Sequence, residues 1–197
     1  MKKSEVTRQT ILQKAFELIY VNGYQATSID HIIATTQVTK GAFFYHFKTK
    51  EEMGLAVISE VMYGAMSSGM VEPLLASEDP LTDIYAMMEA LLLTNPYMQL
   101  KYGCPTYNLI QEMAPLNASF SKELSRIMEL SRGTISHAIA QGKAMGQVRK
   151  DVDGLKVANF IMAGYGGVRI LGKLEHTNAC YHAYLEELKG YLHSLRN

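Results

Sequence analysis

The chain has 197 residues, of which 48% are hydrophobic and 19% charged, a balance that is typical of a folded globular protein and excludes extensive disorder. Nineteen basic and nineteen acidic residues cancel overall, but residues 1–50 carry seven basic and three acidic side chains, or +4, which leaves −4 for the other 147. This asymmetry indicates a basic binding module joined to a neutral or acidic body.

The first 50 residues predict three helices. Apolar residues at mostly three- and four-residue spacings run through residues 5–22 and stop at Asn22 and Gly23, which predicts a first helix of that span. Thr27 or Ser28 can cap a second helix that runs to about residue 35 or 36, and Thr39 can cap a third over about 39–45. Two short helices with a tight connection form a helix-turn-helix.

The rest of the chain also predicts helices. A long apolar helix follows Lys50 and reaches Pro73, and further helices are predicted over about 81–94, 106–114, 119–144, 154–174 and 178–195. No segment shows the sustained alternation that predicts a strand bounded by hairpin turns. The predicted fold class is therefore all-α, with an N-terminal three-helix module followed by a helical body.

Other classes of protein are excluded by the N-terminus and the cysteines. Residues 1–5 run straight into an amphipathic segment, so we expect no signal peptide, and no apolar run approaches the length needed to cross a bilayer. We therefore expect a cytoplasmic protein with no membrane partner. Cys104 and Cys180 lie far apart and outside any CxxC or His/Cys cluster, so we expect no disulfide framework, zinc site or cofactor.

Residues 39–50 combine hydroxyl, aromatic, histidine and lysine side chains within about three helical turns, a mixture that suits a DNA phosphate backbone. Gly41 permits a close backbone approach. Three phenylalanines can supply the small core that orients the helix, although the pattern does not decide which rings face inward: Phe43, Phe44 and Phe47. The candidates for the outward, DNA-facing side are Thr39, Lys40, Tyr45, His46 and Lys50.

The same stretch resembles a known family. The DNA-binding signature of the TetR family of bacterial transcriptional repressors looks like Thr39-Lys40-Gly41-Ala42-Phe43-Phe44-Tyr45-His46-Phe47, with Lys50-Glu51-Glu52 after it. The family's link between its first two helices is similar to Asn22-Gly23-Tyr24-Gln25-Ala26-Thr27-Ser28-Ile29. The resemblance covers about residues 5–60, in the order and with the spacing of the family.

The resemblance implies a helix-turn-helix DNA-binding domain over residues 1–50 and a helical ligand-binding and dimerisation domain over residues 51–197. It also implies a homodimeric repressor, without catalytic residues, that binds double-stranded palindromic operator DNA and is released by a small-molecule inducer. The family's DNA contacts fall on Thr27 or Ser28, Thr39, Lys40, Gly41, Tyr45, His46 and Lys50. Many members have two adjacent tyrosines where this chain has Phe44 and Tyr45, which places Phe44 in the core.

Residues 62–130 are rich in methionine and tyrosine, which can line an adaptable apolar cavity with hydroxyls that orient a ligand. The alternative is that any one of them is ordinary helical core. The candidate residues for ligand binding or sensing are Tyr63, Met66, Met98, Tyr102, Cys104, Tyr107, Met113 and Met128.

Cys104 lies in a segment that resembles the Gly-Cys-x-x-x-Asn-Leu-x-x-Glu sequence of a subset of the family, some of which sense electrophiles or oxidants with the cysteine. Its place before a predicted helix favours a thiolate. Against this, Pro105 withholds one N–H, and a buried free cysteine is commonly an inert hydrophobe.

Two rival functions remain open. A small-molecule enzyme would use Cys104 as nucleophile with His137, His176 or His182 as base, although no triad spacing is present. An architectural nucleic-acid-binding protein would have no inducer, and a solid body without any cavity would favour it.

The last two predicted helices, 154–174 and 178–195, are apolar on wide faces, and three glycines let another helix approach closely: Gly164, Gly166 and Gly167. A phosphate-binding role for these glycines lacks a strand-to-helix setting and a lysine. We therefore expect a four-helix homodimer interface, with two helices from each subunit, as the family resemblance implies.

Overall fold

The structure is a computed structural model that describes residues 3–197, with side chains from Ser4 onward. Within that range the chain forms helices and no β-strand, apart from an isolated antiparallel bridge between Val148 and Arg196. The predicted all-α class is confirmed. Two compact units are present: the first contains the residues up to Ala65 and Pro105–Ser125, and the second contains Met66–Cys104 and Arg126–Asn197.

Three N-terminal helices in the first unit follow the predicted bounds closely. They are α1 (Lys3–Asn22), α2 (Ile29–Ala34) and α3 (Lys40–His46). Gly23 ends α1 because its φ of 88° is readily adopted only by glycine. Ser28 caps α2 by accepting from the His31 N–H at 3.0 Å, and Thr39 caps α3 by accepting from the Ala42 N–H at 3.2 Å.

A continuous helix of 26 residues, Lys50–Leu75, follows. Its α-helical parts are α4 (Lys50–Ala56), α5 (Tyr63–Met66) and α6 (Glu72–Leu75), and π-helical stretches, Val57–Met62 and Ser67–Val71, separate them. Pro73 was expected near the end of this helix, but the helix continues to Leu75. The preceding π-helical stretch puts Pro73 in the first turn of α6, where a missing N–H is tolerated.

The prediction that no apolar run approaches bilayer length is wrong for this helix. By length and composition alone, Lys50–Leu75 could cross a membrane. Helices of soluble proteins also pass that criterion, and here three of the apolar side chains, Met53, Val57 and Ile58, are buried in the first unit.

The core of the first unit explains the orientation of α3. Phe43 and Phe47 are buried at 0% and 1% exposure, so the expectation that phenylalanines hold this helix is met by two of the three rings. Phe44 is 37% exposed and packs only edge-on against Phe43, at 5.5 Å between ring centroids, which corrects its placement in the core. α3 therefore buries the side that carries Phe43, and Phe44 lies outside it.

The first unit is completed by α8 (Pro105–Met113) and the start of α9 (Ala118–Ala144). The Phe120 ring on α9 lies 4.7 Å from the Tyr24 ring, centroid to centroid. Gly54 on α4 allows both rings to come this close, since a Cβ there would stand 2.7 Å from each of them. The first unit therefore contains residues from both sides of position 50. The functional division into residues 1–50 and 51–197 stays a prediction.

The second unit contains α7 (Pro80–Glu89) with a π-helical extension, Ala90–Thr94, the rest of α9, α10 (Gly154–Glu175) and α11 (Ala179–Ser194). Asp79 caps α7, and Asp153 caps α10 by accepting from the Leu155 and Lys156 N–H groups at 3.0 and 3.1 Å. Residue 176 ends α10 in the left-handed region, with φ of 57°. The helices therefore begin and end where the sequence predicted, within about two residues.

Glycines on α10 have two different roles. A Cβ at Gly164 would stand 2.5 Å from the Tyr184 ring, and one at Gly172 would stand 2.6 Å from the Tyr181 ring, so these two glycines let α11 pack closely within the subunit. At Gly167 a Cβ would meet no atom within 4 Å. Of these three glycines of α10, Gly167 is the one with open space beside it.

Candidate DNA-binding surface and ligand cavity

The outer side of α3 presents most of the residues expected to face DNA. Lys40 and Gly41 are exposed, and Tyr45 is 71% exposed. His46 is half-buried and meets the Tyr45 ring edge-on at 5.0 Å. No atom within 4 Å would meet a Cβ at Gly41, so the backbone there is open to a close approach from outside.

Thr27 and Ser28, the two alternatives for a DNA contact at the start of α2, have different environments. Thr27 is fully buried and its hydroxyl donates to the Gly23 carbonyl at 2.7 Å, which holds the link between α1 and α2. Ser28 is exposed and caps the helix. Of this pair, Ser28 is the side chain that an external partner can reach.

Two lysines of the candidate surface have internal partners. The Lys40 ammonium lies 3.3 Å from the Asp30 carboxylate, and both side chains are well exposed, so this pair contributes little to stability. The Lys50 ammonium donates to the Gln25 carbonyl at 3.2 Å and lies 4.3 Å from the centre of the Tyr24 ring. Burial lowers the pKa of Lys50. Lys50 therefore secures the link before α2 while part of its side chain stays accessible.

Lys48 was missing from the predicted site. Its side chain is exposed, and its ammonium donates to the Phe44 carbonyl at 3.0 Å, beside the last turn of α3. Lys48 lies within residues 39–50, the motif that contains most of the other candidates, so its position in the sequence could have identified it. Thr49 next to it caps α4 by accepting from the Glu52 N–H at 3.0 Å.

Glu112 on α8, the last residue of the segment that resembles Gly-Cys-x-x-x-Asn-Leu-x-x-Glu, is a second residue to which sequence reasoning assigned no role. Its two carboxylate oxygens accept from the Tyr24 N–H at 2.9 Å and from the Gln25 N–H at 2.7 Å. Gly23 makes room for the carboxylate, since a Cβ at that position would lie 3.2 Å from it. The carboxylate thus binds the backbone that leads into the helix-turn-helix, a contact between segments 87 and 88 residues apart.

A cleft of about 410 Å³ lies in the second unit, a volume typical of small-molecule sites. Its wall includes Leu92, Met98, Leu100 and Tyr181, and polar residues around His176 complete it. Of the eight predicted ligand residues, Met98 lines this cleft. Cys104 and Met113 are buried but do not line it, and five are half-buried: Tyr63, Met66, Tyr102, Tyr107 and Met128. A role for these seven in ligand binding stays a prediction.

Arg169 on α10 is a third residue that sequence reasoning missed. It is only 1% exposed, and its guanidinium lies 5.4 Å from the Tyr181 ring and 3.2 Å from the Met98 sulfur. The available signal was a single arginine among apolar residues, in Gly167-Val168-Arg169-Ile170-Leu171. A buried cation is rare enough that such a position can be singled out.

Cys104 is 4% exposed and lies beside the buried Tyr165 phenol. Burial first, and Cys104 second, raise the pKa of Tyr165 well above its usual range. An electrophile therefore has to reach the thiol inside the second unit. Sensing by Cys104 stays a prediction, and equal operator release by wild type and Cys104→Ser after mild alkylation would contradict it.

An apolar stripe is exposed along α10. Phe160 is 52%, Ile170 45%, Leu171 44% and Leu174 73% exposed, and Gly167 lies between them in the sequence. Gly167 follows Phe160 by seven residues, and Ile170, Leu171 and Leu174 follow Gly167 by three, four and seven, which places all five on one side of the helix. Large apolar side chains in such a row indicate a surface that another molecule covers.

Two family models match the chain. The family described as "Bacterial regulatory proteins, tetR family" matches residues 11–57, and "Tetracyclin repressor-like, C-terminal domain" matches residues 60–188, which is more than half of the chain. The chain belongs to the TetR family. It is a DNA-binding regulator of transcription, as the resemblance of residues 5–60 implied.

Curated relatives of this TetR-family chain are regulators as well. It is 33% identical over 124 residues to an HTH-type transcriptional regulator of Lactococcus lactis subsp. lactis, a match that covers 61% of this chain and 62% of that protein. The chain thus spans less than two thirds of that relative. It is 28% identical over 171 residues to the HTH-type transcriptional repressor DhaR of Mycobacterium sp. (strain GP1), covering 85% and 83% of the two chains.

A solved structure has the same fold. The TetR transcriptional regulator from Chloroflexus aurantiacus J-10-FL superimposes with a TM-score of 0.88 at 25% identity, covering 100% of this chain and 98% of that one.

The enzyme alternative finds no support in the TetR family. The relatives are transcription regulators, which are not enzymes. The geometry does not favour the alternative either, because Cys104 is buried while His137, His176 and His182 are exposed. The cleft of the second unit also speaks against a purely architectural protein with a solid body.

Proposed function

We propose that this TetR-family chain is a homodimeric, cytoplasmic repressor that binds a palindromic operator through α3 and is released by a small-molecule inducer. The observation that carries the proposal is the exposed face of α3, held from behind by two buried phenylalanines. That arrangement presents polar side chains on a rigid helix of the size that enters a major groove.

The proposed contacts divide into two kinds. Exposed lysines, Lys40 and Lys48, supply charge for the phosphate backbone, which contributes affinity without sequence information. Tyr45, with its exposed hydroxyl, and Thr39 stand at opposite ends of α3 and can position that helix in the groove. The open space at Gly41 allows the DNA backbone or a base edge to approach the helix closely.

Selection of bound duplexes from a random DNA pool tests the proposal directly. We expect a palindrome whose half-sites are centred about one helical turn, roughly 10 base pairs, or a multiple of it apart. Recovery of unrelated sequences, or of one unpaired half-site, would contradict the proposal.

Salt titrations with the selected operator then test the contacts. Lys40→Ala should weaken binding and lower the slope of log affinity against log salt by about 1. Lys173→Ala, which removes an exposed charge from α10, is the matched control and should leave the slope unchanged. Equal slopes for both variants would mean that Lys40 does not meet a phosphate.

We infer that the stripe on α10 forms the dimer interface together with α11. A second copy of the same stripe is its self-complementary partner in a two-fold dimer, and Gly167 leaves room for the partner helix. Leu174→Arg should shift sedimentation toward the monomer. Leu116→Arg is the control, since Leu116 is also exposed, at 64%, but lies outside the stripe. An unchanged dimer in Leu174→Arg would refute this interface.

Release by an inducer requires that ligand favours a body conformation with lower operator affinity. The cleft in the second unit is the proposed binding site, because it combines an apolar wall with polar groups at one side. The experiment is operator release by candidate inducers, compared with a variant that fills the cleft, Leu92→Trp. Release that persists unchanged in the filled variant would place the inducer elsewhere.

A further inference from the structure

Arg169 is a buried cation for which no carboxylate partner is present among the described residues. Its Nε donates to the Tyr165 hydroxyl at 3.4 Å, and its Nη2 donates to the Leu91 carbonyl and lies 3.2 Å from the Met98 sulfur. Phenol, carbonyl and thioether groups are neutral. Burying a charge without an opposite charge is costly, and arginine cannot lose its proton.

The carbonyl that Arg169 meets is available because of the local backbone. In the π-helical stretch Ala90–Thr94, the Asn95 N–H donates to the Ala90 carbonyl at 2.9 Å, one residue before Leu91. The next residue, Pro96, has no N–H to offer. The Leu91 carbonyl is therefore available to accept a hydrogen bond from the guanidinium. Because Leu92 and Leu93 line the cleft, this contact places Arg169 directly behind its wall.

Two donors at this wall remain unsatisfied. The Arg169 Nη1 and the Tyr181 hydroxyl are both buried, and within the described part of the chain neither makes a hydrogen bond of regular geometry, although the two side chains lie close enough to interact. The guanidinium carbon lies 5.4 Å from the centre of the Tyr181 ring. Buried polar groups are normally hydrogen-bonded, so two orphan groups side by side indicate that an acceptor belongs between or beside them.

The cleft brings a ligand to the same place. Met98 and Tyr181, both in contact with Arg169, line its wall together with Leu92, Leu93 and Leu100. A methionine side chain is flexible, so the Met98 thioether can move off the guanidinium when a better acceptor arrives. Arg169 would then become accessible from the cleft.

We propose that this cleft binds a small monocarboxylate with an apolar body, whose carboxylate accepts hydrogen bonds from Arg169 Nη1 and the Tyr181 hydroxyl once the Met98 thioether has moved away from Nη2. The inference rests on the proposed ligand-responsive function and names the chemical class of the inducer.

The chemistry of the wall selects this class. One guanidinium balances one negative charge, and its planar donors match a carboxylate. The leucines around it favour an aliphatic or aromatic remainder over a second charged group. A ligand that is neutral but has the same shape leaves the buried cation uncompensated.

Isothermal titration of the full chain, without DNA, tests the inference. The probes are the straight-chain carboxylates from butanoate to decanoate and benzoate, each paired with its primary amide. We expect at least one carboxylate to bind and its amide to bind roughly 10- to 100-fold more weakly. Failure of every carboxylate to bind, or equal affinity for acid and amide, would overturn the inference.

Variants locate the interaction. Arg169→Met replaces the cation by an apolar side chain and should abolish the preference for acid over amide, while Lys173→Met, an exposed position on the same helix, should retain it. Tyr181→Phe keeps the ring and removes one donor, so it decides the matter even if Arg169→Met does not fold. We expect it to lose about 3- to 30-fold in carboxylate affinity and little in amide affinity; no change would overturn the assignment.

The two proposals fail separately. Operator binding by the ligand-free protein tests repression, and carboxylate binding without DNA tests the inference. A carboxylate that binds in the predicted manner to a protein that selects no operator would sink the proposed function alone.

Discussion

The substitution Glu112→Ala measures how much the hydrogen bonds of this carboxylate stabilise the first unit. The carboxylate accepts from two backbone N–H groups, those of Tyr24 at 2.9 Å and Gln25 at 2.7 Å, in the link that precedes α2. Alanine keeps α8 helical but leaves both donors without this acceptor. The loss of stability therefore reports on these two hydrogen bonds and not on helix propensity.

The magnitude follows from the surroundings of each donor. Hydrogen bonds to a charged group contribute about 1.5–3 kcal/mol each. The Gln25 bond is exposed, so water can replace the carboxylate there, whereas the Tyr24 bond is part-buried. We therefore expect a loss of about 2–3 kcal/mol in the free energy of unfolding, or roughly 4–12 °C in Tm for a chain of this size.

Thermal unfolding followed by circular dichroism measures this loss. Glu112→Gln keeps one oxygen acceptor but turns an amide NH2 toward the second donor, so it should lose about half as much. Glu129→Ala removes an exposed carboxylate from α9 and should stay within about 0.5 kcal/mol of wild type. The reasoning is refuted if Glu112→Ala unfolds at the same temperature as Glu129→Ala.

Three further substitutions probe other parts of the fold. Gly54→Ala should destabilise by about 1–3 kcal/mol in urea unfolding, because its Cβ would stand 2.7 Å from the Phe120 ring, and a neutral result would mean that the ring can shift. A hydrogen bond from Arg196 lowers the pKa of Asp79, so its stabilisation is present above the unfolded pKa near 4 and is lost as pH falls further; the difference in Tm between wild type and Asp79→Asn should shrink from pH 5 to pH 2. Gly133→Ala, in the interior of α9 with no atom within 4 Å of the new Cβ, should raise the free energy of unfolding by about 0.5–1 kcal/mol, and any loss would contradict the open space seen there.

Helix bounds were predictable because their signals are local. Ser28, Thr39 and Asp153 are side chains that cap the helix directly after them, and Gly23 ends α1 through its own backbone. The π-helical stretches were not predicted, since apolar spacing does not distinguish a wider turn from an α-helical one. For the same reason Pro73 was read as a helix end.

The candidate site was predictable only where exposure follows from the motif. Tyr45 and Lys40 lie outside α3 as expected, but Phe44 is half-exposed and Thr27 is buried by a hydrogen bond to Gly23, neither of which residue type alone reveals. Arg169 could be noticed as a charged residue whose immediate neighbours in α10 are apolar. Its lack of a carboxylate partner depends on residues about 70 positions earlier in the chain, and no local pattern carries that information.

Only a short stretch of the chain connects the cleft to the DNA-binding unit. Met98 and Leu100 line the cleft, and the chain passes from the second unit to the first between Cys104 and Pro105. It then continues through α8, nine residues or about 13 Å of helix, to the Glu112 tie near its end. The proposed displacement of Met98 is thus separated from the backbone before α2 by a few loop residues and the helix α8.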